Sequence, residues 1–204
     1  MLLETEGVVK RFGGLTAVNQ VSIEVEKGEI FGLIGPNGAG KTTFLNCIAG
    51  VYKPESGVVR FAGREITGLS PDKICRQGVS RTFQICQLFD KMTVLDTVLL
   101  AATFGRKAGA QNPEEKAREM LAFVEFPLPE ETPAAQLNTG QLKRLDLARA
   151  LATEPQLMLM DEPGAGLTHT ELTELMALIE KIRVTGITIV VVEHDDEIVR
   201  RADH

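Results

Sequence analysis

The chain has 204 residues, of which 44% are hydrophobic and 25% are charged, as in ordinary globular proteins with a real core. A net charge of −6 and a pI of about 5.2 argue against nucleic acid as the main partner. No apolar run approaches the ~18 residues of a membrane span, and Glu4 and Glu6 stand where a signal peptide would be basic and then apolar. Any membrane role is therefore expected to depend on another subunit.

The three cysteines, Cys47, Cys75 and Cys86, are odd in number and lack a metal-type spacing. They favour reduced thiols in a cytosolic protein.

The first third of the chain is predicted to be rich in strands. Apolar residues alternate through AVNQVSIEV, a turn follows at Lys27-Gly28, and an apolar run extends from Ile30 to Ile34. SGVVRFAG predicts a further strand between glycines.

The pattern becomes helical from about Thr93 to Phe126, with Pro113 placed as a helix start. After a proline-rich connector, TGQLKRLDLARALAT predicts a helix, followed by strand LMLM, helix HTELTELMALIEKIRV and strand ITIVVV. The last three elements predict a parallel strand pair with a right-handed crossover. The layout is a two-part α/β protein, with a mixed β core and a helical insertion near 85–153.

A phosphate-binding loop is the strongest single motif. GLIGPNGAGKTTFLNCIAG contains G-x-x-x-x-G-K-T at Gly35, Gly40, Lys41 and Thr42, between a predicted strand and a predicted helix. The glycines, Gly38 included, let backbone N–H groups face phosphate oxygens. Lys41 would neutralise the β/γ end, and Thr42 would offer its hydroxyl to Mg²⁺.

Polar residues follow two predicted buried strands. In LMLMDEP, Asp161 and Glu162 follow the predicted strand and suit a Mg²⁺ ligand and a group that polarises an attacking water; the alternative is a solvated acidic turn. His194 follows the last strand, so it should share a crevice with Asp161, although such a histidine is more often structural. A lone glutamine such as Gln84 is usually a surface residue, and Phe12 could stack on a base or pack in the core.

A second anion site is predicted at QLNTGQLKRL. Asn138, Thr139 and Gly140 precede an apolar-periodic run, which is typical of a helix start with free N–H donors. Such a start favours anions. The phosphate loop lies far away in sequence, so the phosphate that this site would bind is not obvious from the residues alone.

The order of the motifs identifies a family. An aromatic residue, GPNGAGKTT, RTFQ, LNTGQ, LMLMDEP, GAGL and VEHD together resemble the nucleotide-binding subunit of an ABC transporter. RFGGLTAVNQVS, LNCIAGVYKPESG, GVSRTFQ and LFDKMTVLDTVLLAA are similar to the ATPase subunits of branched-chain amino-acid importers. The resemblance implies a P-loop NTPase (RecA-like) core at 1–84 and 154–204 with an antiparallel β subdomain, and an inserted α-helical subdomain at 85–153.

The resemblance also implies a role for each matching residue. Phe12 would stack on adenine, Glu162 would be the general base, and His194 would contact the γ-phosphate. Gln84 would contact Mg²⁺ and the attacking water, and would also couple the site to the membrane subunit. Thr42 and Asp161 would be the other two ligands of the Mg²⁺. The loop that wraps the phosphates would comprise Gly35, Pro36, Asn37, Gly38, Ala39, Gly40, Lys41, Thr42 and Thr43.

The same resemblance answers the question of the second anion site. Two subunits would pack head-to-tail, so that the signature residues Asn138, Thr139, Gly140 and Gln141 cap the ATP of the partner, with the loop Gly164–Leu167 linking the two sites. Lys41, Gln84, Glu162 and His194 would carry catalysis.

The implied function is ATP hydrolysis with ATP and Mg²⁺, powering uptake of branched-chain or other amino acids. The implied partners are membrane-spanning permease subunits, a second ATP-binding subunit and, indirectly, a solute-binding protein. The chain would sit peripherally on the cytoplasmic face of the membrane. The alternatives are a soluble ABC ATPase outside transport and a catalytically degenerate regulatory subunit.

Three departures from the family pattern bear on these expectations. The signature reads LNTGQ where the family has LSGGQ or a near variant, and Thr168 stands where the loop after the acid pair has Asp or Asn. The sequence ends at RRADH, where family members continue with more strands. A truncated C-terminus with an exposed sheet edge is therefore expected.

Overall fold

Eight strands and six helices occur in residues 1–82, 92–105 and 112–193, the parts of the chain that the computed structural model describes. The strands are β1 (Leu3–Phe12), β2 (Leu15–Val25), β3 (Ile30–Leu33), β4 (Ser56–Phe61), β5 (Arg64–Glu65), β6 (Val79–Arg81), β7 (Leu157–Asp161) and β8 (Thr188–Val192). The helices are α1 (Lys41–Ile48), α2 (Pro71–Gln77), α3 (Val94–Phe104), α4 (Pro113–Phe123), α5 (Thr139–Ala152) and α6 (His169–Val184). A 3₁₀ turn, Ala134–Gln136, precedes α5.

The strands form two sheets of different kind. One has the order β2-β1-β4-β5 and is antiparallel, and the other has the order β3-β8-β7-β6 and is parallel. In the parallel sheet, Leu33 and Asp161 both lie opposite Val192. The carboxyl ends of β3, β7 and β8 therefore meet at one edge, where open parallel sheets bind their ligands.

Strands β7 and β8 of the parallel sheet are buried throughout, which explains why they are almost continuously apolar. Successive side chains of a strand point to opposite faces. On β7 and β8, one set packs with the antiparallel sheet and α1, and consists of Leu157, Leu159, Val190 and Val192. The alternate set packs with the helices and consists of Met158, Met160, Ile189 and Val191.

Helices α3, α4 and α5 come between β6 and β7 in sequence and pack against one another. Thr93 caps α3 through a reciprocal capping box with Asp96. Asn112 caps α4, and Pro113 occupies its first turn, which confirms the predicted helix start. The division of the chain after residues 84 and 153 stays a prediction. None of the helices in the described ranges is long and apolar enough to cross a membrane.

The fold class is confirmed, and so are the predicted strands β2, β3, β4, β7 and β8 and the predicted helices α5 and α6. Four elements were not predicted individually: β1, β5, β6 and α2. Three of them are two to seven residues long, too short for a recognisable periodicity. The alternation of β1 is broken by the register shift between Thr5 and Val8, around Gly7.

Candidate functional site

The phosphate loop spans residues 34–40, between the end of β3 and the start of α1. Gly40 is the N-cap of α1 in a left-handed conformation (φ 89°) and supplies no side-chain cap, and the first turn of α1 holds no acidic residue. The first N–H groups of a helix lack intrahelical partners. With no competing cap or carboxylate, these donors and the helix dipole are available to an anion.

Lys41 brings a positive charge to the same loop. Its Nζ donates to the carbonyl oxygens of Gly35 at 2.6 Å and Pro36 at 2.9 Å. The ammonium group thus lies over the first residues of the loop. Phosphate oxygens bound to the N-terminus of α1 would meet this charge directly.

Gly40 also lies very close to the antiparallel sheet. A Cβ atom at this position would be 1.9 Å from the carbonyl oxygen of Ala17 on β2. No side chain fits at that distance, so the position requires glycine for space as well as for its positive φ. The contact with β2 thereby limits how closely the phosphate loop can approach the antiparallel sheet.

Asp161 joins the loop to the end of β7. Its Oδ1 accepts a hydrogen bond from the Thr42 hydroxyl at 3.0 Å, although the two residues are 119 positions apart. Its Oδ2 accepts from Arg81 at 3.0 Å, and Arg81 also donates to Asn46 on α1. Asp161 is only 1% exposed. Burial lowers the pKa of the Arg81 guanidinium, and the charge of Asp161 opposes that shift.

The donor set at this point fits Mg²⁺. The Thr42 hydroxyl and the Asp161 carboxylate are hard oxygen ligands at one end of the phosphate loop. Within the described residues no three His, Cys, Asp or Glu side chains form a metal-binding group. A site with one or two protein oxygens, completed by phosphate and water, is the arrangement typical of Mg²⁺ rather than of Zn²⁺ or Ca²⁺.

Glu162 directly follows Asp161 but has a different environment. It has a left-handed backbone (φ 46°) and is partly exposed, whereas Asp161 is buried. Its N–H donates to the Val192 carbonyl at 2.9 Å, and its own carbonyl accepts from Lys143 Nζ at 3.3 Å. Two adjacent acids in unlike environments can serve unlike roles.

The loop after the acid pair is held from two sides. The N–H of Gly164 donates to Glu193, which follows β8 and is 6% exposed, at 2.9 Å. Lys143 holds the loop from α5 through the Glu162 carbonyl. The backbone near Glu162 is therefore tied both to β8 and to the helix that carries the signature residues.

Phe12 lies at the end of β1 and is 43% exposed, so the ring is not part of the core. Tyr52 meets it edge-on with ring centroids 5.2 Å apart, and Lys10 Nζ lies 5.3 Å from the ring centre. These two contacts support the ring while part of its surface remains open for stacking.

The helix start predicted at Asn138 is confirmed. The Asn138 side chain accepts from the Gln141 N–H at 2.9 Å, and the Gln141 side chain accepts from the Asn138 N–H at 3.0 Å. This reciprocal capping box leaves the N–H groups of Thr139 and Gly140 as the donors of the first turn. The serine-to-asparagine departure in the signature thus retains the cap.

Thr168 also retains a cap, on α6. Its hydroxyl accepts from the Glu171 N–H, and its N–H donates to the Glu171 carboxylate at 2.9 Å. The N–H and hydroxyl of Thr168 lower the pKa of Glu171. A Cβ on Gly140 would be 2.6 Å from Glu171 Oε1, so the two helix starts lie side by side. Two of the departing residues, Asn138 and Thr168, therefore occupy N-caps that still function as caps.

A cavity of about 220 Å³ opens beside these two helix starts, lined by Asn138, Gly140, Gln141, Arg144 and Glu171 among others. No residue of the phosphate loop lines it. The structure thus joins the phosphate loop, through Thr42, to Asp161, which Glu162 follows, whereas the cavity beside the signature residues contains no residue of that loop.

Two predicted site residues, Gln84 and His194, lie outside the described residues. Conversely, Arg81, Asn46 and Tyr52 contact site residues and were not singled out from the sequence. The only available signal was the position of Arg81 as the first residue of RTFQ, three residues before Gln84, which does not indicate its contact with Asp161.

Comparison with known proteins gives a consistent result. The model of the ABC transporter family matches residues 18–165. The high-affinity branched-chain amino acid transport ATP-binding protein BraF of Pseudomonas aeruginosa is 41% identical, over 100% of this chain and 86% of that protein. LivG of Escherichia coli K12, which has the same descriptive name, is 39% identical over 97% of this chain and 84% of its own length.

Solved structures agree with the sequence matches. The ADP conformation of MJ1267, an ATP-binding cassette of an ABC transporter, superposes with a TM-score of 0.89 at 33% identity, over 99% of this chain and 85% of that one. A dimeric post-hydrolysis state of the cassette MJ0796, bound to ADP and Pi, also gives 0.89, at 29% identity, over 99% and 92% of the two chains. The chain therefore belongs to the ABC transporter family, whose cassettes bind and hydrolyse ATP.

Proposed function

We propose that this chain is the ATP-hydrolysing subunit of an importer for branched-chain amino acids. The observation that carries the ATPase assignment is the 3.0 Å contact between Thr42 and Asp161, which joins the phosphate loop to the acid pair. The solute class is supported by BraF and LivG, which are described as branched-chain amino acid transport ATP-binding proteins and are similar over nearly the whole chain.

We propose that ATP binds along the edge formed by β3, β7 and β8. Adenine would stack on the open surface of Phe12, and the phosphates would enter the loop from Gly35 to Thr43. Lys41 would turn from the carbonyls of Gly35 and Pro36 to the β- and γ-phosphates, because charge-assisted bonds to phosphate are the stronger ones.

Hydrolysis follows from the unlike environments of the two acids. Bound Mg²⁺, held by Thr42 and Asp161, would neutralise charge on the β- and γ-phosphates. Glu162 would orient the attacking water and accept its proton as the bond from the γ-phosphorus to the leaving oxygen breaks. The products are ADP and phosphate. The roles predicted for Gln84 and His194, at the water, the metal and the γ-phosphate, remain part of the same proposal.

The signature helix would act on a second subunit. The N-terminus of α5 offers backbone donors, yet its cavity contains no residue of the phosphate loop of the same chain. Head-to-tail pairing would place Asn138, Thr139, Gly140 and Gln141 against the γ-phosphate of the partner. A regulatory, non-hydrolysing role rested on the Asn138 and Thr139 substitutions, and the intact capping box at Asn138 favours a working helix start over that role.

A groove between the core and the helices is the proposed seat of the permease. It has a volume of about 440 Å³ and lies between α2 and β6 on one side and α3 and α5 on the other. Leu100 and Phe104 are 37% and 63% exposed there. One wall, β6, leads directly into the segment with Gln84. A cytoplasmic segment of a membrane-spanning subunit would cover these apolar side chains and hold the chain at the membrane, with a solute-binding protein acting through that subunit.

Light scattering tests the proposed function directly. We expect the Glu162→Gln protein to change from monomer to dimer when ATP and Mg²⁺ are added, because hydrolysis no longer reopens the pair. The same protein with an added Lys41→Ala change should stay monomeric. A Glu162→Gln protein that binds ATP and stays monomeric would contradict pairing between identical chains.

The cap of the signature helix should matter for stability and for pairing. We expect Asn138→Ala to lower stability by about 1 kcal/mol and Tm by roughly 2–4 °C, because the Gln141 N–H loses its acceptor. The matched control is Asn112→Ala, which removes a similar cap from α4. Both should lower Tm in a thermal melt, but only Asn138→Ala should weaken ATP-dependent pairing. Equal pairing in the two variants would argue against the signature role.

A further inference from the structure

Arg81 is the last residue of β6, and its guanidinium bridges two other elements. One arm donates to Asp161 Oδ2 on β7 at 3.0 Å, and the other donates to Asn46 Oδ1 on α1. The Arg81 and Asp161 side chains are 9% and 1% exposed. A buried ion pair is costly to desolvate and is by itself weak evidence for a stabilising role. Its position beside the phosphate loop suggests another use.

The two oxygens of Asp161 have different partners. Oδ1 accepts from the Thr42 hydroxyl, and Oδ2 accepts from Arg81. The terminal torsion of an aspartate is broad and only weakly restrained by its own chemistry. Two donors on opposite oxygens fix the plane of the carboxylate, and Asn46 fixes the guanidinium in turn. Arginine suits this task because its donors form a rigid planar fork.

A purely structural link between β6 and β7 does not need this contact. The two strands already pair in parallel register, with Val79 opposite Leu157 and Arg81 opposite Leu159. The N–H of Thr82 continues the ladder by donating to the Leu159 carbonyl at 2.9 Å. The ion pair adds control over the Asp161 side chain, which the backbone ladder leaves unrestrained.

We propose that Arg81, held by Asn46, is a positioning residue that turns Asp161 Oδ1 toward Thr42 and so sets the metal affinity of the ATP-bound chain. The inference rests on the proposed function, because it assigns the metal site to Thr42 and Asp161. Residues that orient a metal ligand without touching the metal typically change metal affinity 10–100-fold. The loss of Arg81 should have an effect of that size.

Manganese binding gives a readout that does not depend on turnover. In the Glu162→Gln parent, with protein in excess so that all of the ATP is bound, free Mn²⁺ can be titrated by its electron paramagnetic resonance signal. We expect Arg81→Gln to raise the Kd for Mn²⁺ roughly 10–100-fold and Arg81→Lys to have a smaller effect. ATP affinity measured in EDTA should be unchanged. The matched control is Arg60→Gln, which removes an exposed ion pair with Glu6 on the antiparallel sheet.

The outcomes distinguish a positioning role of Arg81 from a purely structural role. Parent-like Mn²⁺ affinity in folded Arg81→Gln overturns the proposal, and so does an equal loss of ATP binding in EDTA. If Arg81→Gln does not fold, Arg81→Lys and Asn46→Ala decide, and both must weaken Mn²⁺ binding. A parent that binds no ATP overturns the proposed function together with this inference. If the parent binds ATP, and the parent and its variants bind Mn²⁺ with the same affinity, the inference is overturned and the proposed function is not.

Discussion

Replacing Glu162 by glutamine should lower ATP turnover by about 10²–10⁴-fold, the usual contribution of a general base. The amide has the same size and shape, so the backbone contacts of Glu162 with Val192 and Lys143 should survive. It cannot accept the proton of the attacking water at neutral pH. Steady-state phosphate release measures the loss, and a titration with a fluorescent ATP analogue should show that binding is retained.

The matched control for this substitution is Glu180→Gln. Glu180 lies on α6 in a surface pair with Arg183, and it carries the same chemical change away from the site. Its turnover should equal that of the wild type. A Glu162→Gln protein that keeps wild-type turnover, or that loses ATP binding along with turnover, would contradict the assignment of Glu162 as the base.

Replacing Gly40 by alanine should abolish tight ATP binding. The new Cβ would lie 1.9 Å from the Ala17 carbonyl oxygen, and the backbone has a φ of 89°. The loop must therefore move, and the donors aimed at phosphate move with it. The loss of two charge-assisted hydrogen bonds of about 1.5 kcal/mol each corresponds to an affinity roughly 10²-fold lower. A binding titration with an ATP analogue measures this directly.

Gly38→Ala separates the clash from the backbone strain. Gly38 lies in the same loop with a φ of 79°, but a Cβ there would meet nothing within 4 Å. We expect this variant to lose some stability and to keep most of its ATP affinity. If the two variants bind ATP equally well, the approach of Gly40 to the antiparallel sheet does not control the loop.

Several features follow from the sequence because their causes are local. The strand–loop–helix around Lys41 can be read directly, since a curled backbone needs its glycines and the following helix needs its periodicity. Strands β7 and β8 are recognisable as apolar runs because both of their faces are buried. Asn138 can be recognised as a cap because a cap acts on a donor only three residues away.

Other features were decided by contacts between residues that are distant in sequence. Arg81 and Asp161 belong to strands that pair only in the folded sheet. No sequence pattern around Arg81 predicts its hydrogen bond to an aspartate 80 positions away. Position 40 requires glycine partly because the Ala17 carbonyl oxygen of β2, a strand that precedes the loop in sequence, occupies the space that a Cβ atom would need. Element β6, with three residues, forms because β7 offers a ladder to pair with.

The sequence by itself determined the phosphate loop, the cap at Asn138 and the buried strands, because each depends on residues only a few positions apart, and the order of its motifs carried the resemblance to the family. The tertiary structure alone decided which oxygen of Asp161 faces Thr42, which side chain contacts the other oxygen, and that the cavity beside the signature helix contains no residue of the phosphate loop. The physical reason is that such arrangements depend on packing between strands and helices far apart in the chain, which local spacing does not encode.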